Sequence, residues 1–99
     1  MKLWVDDVRP APNGYKWLQT VNEAIWSIEH WESDSKEIEL IDMDHDAGIY
    51  ADEGGDYINL LNWLEETGRN YPIRIHSMNP VGVANMRRII KRNGWKEVT

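Results

Sequence analysis

Ile38-Glu39-Leu40-Ile41-Asp42-Met43-Asp44-His45-Asp46 is an apolar stretch that runs into alternating carboxylates and an imidazole. The aliphatic part, Ile38 to Met43, reads as a buried strand, and the glycines that follow it (Gly48, Gly54 and Gly55) read as a loop. On the N-terminal side, Thr20 is a good helix N-cap with Glu23 three residues later, the pattern of a capping box. Val21, Ala24, Ile25, Ile28 and Trp31 then recur at helical spacing and predict an amphipathic helix over Val21 to Glu32. Further back, Lys2 to Asp6 and Tyr15 to Gln19 are short strand patterns separated by a loop punctuated by Pro10, Pro12 and Asn13-Gly14.

C-terminal to the quoted stretch, Asp56 is placed to cap a second helix whose inward residues are Tyr57, Leu60, Leu61 and Leu64 and which stops near Gly68. Ile73 to His76 is the next strand. Asn79 as N-cap and Pro80 as first helical residue open a third helix that ends at Gly94. Trp95 to Val98 is expected to add a last short strand. The order β, β, α, β, α, β, α, β with short connections implies a mostly parallel sheet with helices packed on it.

In an open α/β sheet of this kind, ligands bind outside the carboxyl ends of the strands. Asp6 and Asp7 follow the first strand, Asp44, His45 and Asp46 the third, and His76 and Ser77 the fourth, so all are expected on one edge. Several carboxylates on one edge repel one another unless a cation sits among them. Asp6, Asp7, Asp44 and Asp46 are therefore the candidate metal ligands, with Mg²⁺ or Mn²⁺ first and Zn²⁺ admitted by the imidazoles. His45 and His76 are the candidate proton donor and acceptor. Arg9, Ser77, Asn79 and Gly82 are the candidate substrate-binding residues. Arg9 would clamp a phosphate, and Gly82 would let one approach the free N–H groups of the third helix. For Arg9 a loop salt bridge is the alternative, and for the aspartates a turn or cap.

The 99 residues suit one domain, residues 1–99. Cysteine is absent, no apolar run reaches membrane-spanning length, and the N-terminus lacks a signal-peptide pattern, so a reducing, cytoplasmic setting is expected. Phenylalanine is absent while tryptophan occurs six times, which suggests a core built on indoles. The formal charge of −6 argues against broad nucleic-acid binding. Its distribution is uneven: Glu37 to Asp56 contains eight acids and no Lys or Arg, and Arg87 to Lys96 contains five bases and no acid.

Three ordered motifs, Asp6-Asp7-Val8-Arg9-Pro10-Ala11-Pro12, Asp44-His45-Asp46-Ala47-Gly48 and His76-Ser77-Met78-Asn79-Pro80-Val81-Gly82 with Asn85-Met86, resemble the cyclic-phosphate-processing receiver domain family. The resemblance implies an α/β, three-layer, receiver-like (CheY-type) and mostly parallel five-stranded sheet lacking the first and last helices. It also implies a pocket formed by Asp6, Asp7, Arg9, Asp44, His45, Asp46, His76, Ser77 and Asn79. Asp42 stands where the family usually has Ser. The function expected is a metal-dependent phosphoesterase acting on a cyclic phosphate or cyclic nucleotide, in a setting such as phage–bacterial conflict. The alternatives are a protein that binds such a ligand without chemistry, and a divergent phosphoacceptor receiver. The only lysine near the end of the last strand is Lys96, which disfavours phosphorelay.

Overall fold

Alternation within the short strands decides which side of the sheet is dry. The computed structural model describes residues 1–99. β1 (Lys2–Val5), β2 (Tyr15–Leu18), β3 (Leu40–Met43) and β4 (Ile73–Ile75) form one parallel sheet in the order β2-β1-β3-β4. The register aligns Leu3 with Ile41 and Ile41 with Ile73, and Val5 with Met43 and Met43 with Ile75. Side chains alternate across a strand, so these residues share one face, while Trp17, Trp4, Asp42 and Arg74 form a row across the other.

Helices α1 (Val21–Ser33), α2 (Ile58–Glu66) and α3 (Pro80–Asn93) follow β2, β3 and β4 in turn. From β2 to β3 to β4 the chain advances in one direction across the sheet, and right-handed crossovers in one direction place their helices on one face. Val21, Ala24 and Ile28 of α1, Leu60, Leu61 and Leu64 of α2, and Met86, Ile89 and Ile90 of α3 accordingly join Leu3, Val5, Ile41, Met43 and Ile73 in a single core. Only the step from β1 to β2 runs the opposite way, and its connection, residues 6–14, contains no helix. The expected three layers are corrected to two, sheet and helices, with the row containing Trp4 and Trp17 on the uncovered face.

The expected fifth strand is also corrected. Residues 95–98 meet β4 only at Ile73, whose N–H donates to the Lys96 carbonyl and whose carbonyl accepts from Val98 N–H, an isolated parallel bridge with Glu97. β4 is three residues long, and the tail pairs with its first residue alone, so a ladder does not develop. The core is aliphatic rather than indole-based. Of the tryptophans only Trp95 is buried, dropping inward after Gly94 ends α3 in the left-handed region, while Trp26 and Trp17 are exposed.

The capping signals hold at two of three helices. Thr20 Oγ1 accepts from Glu23 N–H at 2.9 Å, and Asn79 Oδ1 accepts from Gly82 N–H at 3.0 Å. Asp56 does not cap α2; its carboxylate instead accepts the Ala47 N–H at 2.9 Å, tying the two ends of the intervening loop together.

Candidate active site

The carboxyl ends of β1 and β3 lie side by side, so the residues that leave them meet. Carboxylate oxygens of Asp6, Asp7 and Asp44 all lie within 4.8 Å of one another. Asp6 is fully buried. One of its oxygens accepts from the backbone N–H groups of Val8 and Arg9, closing the turn after β1, and the other faces His76 Nε2 at 2.9 Å and Arg9 Nε at 3.2 Å. Burial pushes the Asp6 carboxyl up, but these hydrogen bonds and the Arg9 charge outweigh it and hold the group below the ordinary range. Asp44 accepts its neighbour His45 N–H at 2.7 Å and takes Arg9 Nη2 at 3.3 Å. Arg9 thus forms the loop salt bridge that was its alternative reading, between two of the acids.

Asp7 differs. It forms no salt bridge, and the side chain that faces it is another carboxylate, Asp6. Burial, then the neighbouring Asp6 and Asp44, raise its carboxyl above the ordinary value. It lies over Gly48, where a Cβ would come within 2.4 Å of Asp7 Oδ2 and where φ is +57°, so this close approach requires glycine. Below the three acids, the fully buried Tyr57 donates its hydroxyl to the Gln19 carbonyl at 2.7 Å; burial first, then the charges of Asp7, Asp6 and Asp44, push the phenol far above its usual range.

His76 is held by both ring nitrogens. Nδ1 lies 2.6 Å from Asp42 Oδ1, Nε2 lies 2.9 Å from Asp6 Oδ2, and the ring stacks on Trp4 with centroids 3.8 Å apart and planes 6° from parallel. Both ring nitrogens are therefore engaged by carboxylates. Asp42, fully buried, is completed by Arg74 Nη1 at 3.1 Å. The chain Arg74–Asp42–His76–Asp6 is the part of the site that the motifs alone did not reveal. Its signal was present in the period of two, which places Asp42 on the face of Trp4 and Arg74 rather than with Ile41 and Met43.

Four expected residues sit away from the three acids. Asp46 is beside His45 Nδ1 (2.9 Å) and Asn79 Nδ2 (3.4 Å), and groups with His45 and Asp56 instead. The segment after β3 is not extended, so strand alternation does not continue to Asp46. The space over Gly82 is filled by the His45 ring; a Cβ there would lie 2.5 Å from His45 Cγ, so this packing requires glycine. Asn79 is used as the α3 cap and Ser77 Oγ accepts from Asn79 N–H at 3.1 Å. Lys96 lies level with Ile73 at the amino end of β4, the opposite end of the sheet from the acids.

A parallel α/β sheet with an acidic cluster at the carboxyl ends of β1 and β3 is the architecture of a receiver-like domain. The family model described as "Cyclic-phosphate processing Receiver domain" matches residues 1–92, and the chain belongs to that family. No curated protein and no solved structure matches the chain.

Proposed function

We propose that this protein is a metal-dependent phosphoesterase acting on a cyclic phosphate or cyclic nucleotide. The observation that supports it is the trio Asp6, Asp7 and Asp44, whose oxygens lie within 4.8 Å while Asp7 has no basic side chain paired with it. Such a group is short of positive charge, and an all-oxygen donor set suits Mg²⁺ or Mn²⁺ better than Zn²⁺. When bound, the cation would polarise a phosphate oxygen and lower the pKa of a coordinated water.

The remaining roles fall to this chain's own groups. Arg9, half exposed between Asp6 and Asp44, is placed to exchange a carboxylate for a substrate phosphate. His76 has no free nitrogen and orients Asp6. His45 retains one ring nitrogen without a protein partner, which makes it the better donor of a proton to a leaving oxygen.

The test is incubation of the protein with cyclic mono- and dinucleotides and Mn²⁺. Turnover is expected for at least one, reduced about a hundredfold or more in His45→Ala and lost in Asp44→Asn. No turnover of any, with Asp44→Asn behaving like the parent, rejects the reading. Tight binding with the ligand recovered intact would favour the sequestering alternative.

A further inference from the structure

Of the five bases between Arg87 and Lys96, three line one groove. Between β4, an edge strand of the sheet, and α3 lies a groove of about 670 Å³ lined by residues that include Ile75, Val83, Arg87, Arg88 and Lys91, with no carboxylate in its lining. Its lining includes Ser77, the residue after His76, whose ring is bonded to Asp6. Along α3 the lining residues run from Pro80 to Lys91, about 16 Å at 1.5 Å per residue. Arg87 is paired with Glu97, but Arg88 bonds only Asn85 and Lys91 has no partner. Arg88 and Lys91 are thus two cations without a carboxylate partner in a chain of net charge −6.

Resting on the phosphoesterase reading above, we propose that this groove carries the phosphates of a ribonucleotide strand whose terminal cyclic phosphate enters the acidic site. A free cyclic mononucleotide offers one phosphate and leaves the groove unused. A strand offers a row of phosphates to a row of cations. The strand is RNA because a cyclic phosphate at a chain terminus needs two neighbouring hydroxyls, which only ribose provides. The acidic remainder of the molecule repels nucleic acid elsewhere, so recognition is confined to this path.

The test compares a fluorescent oligoribonucleotide ending in a 2′,3′-cyclic phosphate, the matching cyclic mononucleotide and an acidic peptide as competitor. The oligonucleotide is expected to bind at least tenfold tighter than the mononucleotide. Its affinity is expected to fall with salt at a log–log slope near −2, the value for about three neutralised phosphates on a single strand. The double variant Arg88→Ala/Lys91→Ala, both exposed and outside the acidic site, should reduce that slope to about −0.7 while mononucleotide binding stays unchanged. Equal affinity for strand and mononucleotide, an unaltered slope in the double variant, or displacement by the peptide at comparable concentration each overturns the proposal. Mononucleotide turnover separates the two readings: if it persists without strand preference, the groove fails alone. Strand binding with the expected slope but no turnover of any substrate upholds the groove and removes the catalysis.

Discussion

Asp7 is held in a position that costs stability, and its sign can be worked out. Its carboxyl is raised by burial and by Asp6 and Asp44. A raised carboxyl favours the fold most when protonated, so that contribution is complete below the ordinary value of 3.8 and is lost as pH rises through the folded value. At neutral pH the ionised group therefore works against folding. Asp7→Asn is expected to raise Tm at pH 7 in chelator by several degrees, a stabilisation of about 1 kcal/mol corresponding to roughly 4–8 °C in a domain of this size. The same variant should lose the response to Mn²⁺. Thermal melts with and without metal check both halves, and a lower Tm in chelator would contradict them. Which aspartates would meet was only partly legible. The strand ends announced Asp6, Asp7 and Asp44 because β1 and β3 are neighbours in a parallel sheet. Asp46 was misplaced because the backbone after Met43 leaves the extended state, and no residue pattern marks where alternation stops.

Among the elements, α1 and α3 were legible because each carries its own local signature: a side chain that caps the first turn and an apolar stripe at helical spacing. The last strand was not, since whether Trp95 to Val98 forms a ladder depends on how many residues of β4 are left to pair with, a non-local quantity. Two expectations belong at this scale. Gly82→Ala would drive a methyl into the His45 ring in the first turn of α3; it should cost about 1–3 kcal/mol in denaturant unfolding. Arg69, just beyond α2, reaches Glu32 of α1 through Nε at 2.9 Å and Nη2 at 2.8 Å, and Tyr71 hydroxyl bonds the same carboxylate. The Arg69 hydrogen bonds are the largest influence on Glu32; with that of Tyr71 they outweigh burial and hold the carboxyl below its ordinary 4.5. A depressed carboxyl stabilises above the unfolded value and loses that stabilisation as pH falls through the folded one. Arg69→Ala should therefore lower stability by about 1–2 kcal/mol at pH 7, and the gap between variant and parent should narrow in melts carried out near pH 3.

For the whole molecule, handedness explains the asymmetry. Crossovers that all advance the same way stack their helices on one side, and the single reversed step carries a loop. That conclusion was available from the order of elements, but the expectation of three layers followed the resemblance rather than the crossover rule. The three acids are brought together only when β1 and β3 pair, so any cation they held would be linked to the entire fold. Mn²⁺ at a hundredfold excess over its Kd is therefore expected to add about 2.7 kcal/mol to stability, measurable as a concentration-dependent rise in Tm. The rise should vanish in Asp44→Asn.

The stacking of Trp4 on His76 has an optical consequence. The indole shares its face with a ring that touches Asp6, and its N–H donates to the carbonyl of Arg9 at 2.8 Å. Both neighbours of this one chromophore are thus wired to the acids. Anything that engages Asp6 or draws Arg9 away alters the surroundings of that indole, so its emission intensity is a built-in reporter of occupancy, readable without a label by comparing the parent with Trp4→Tyr.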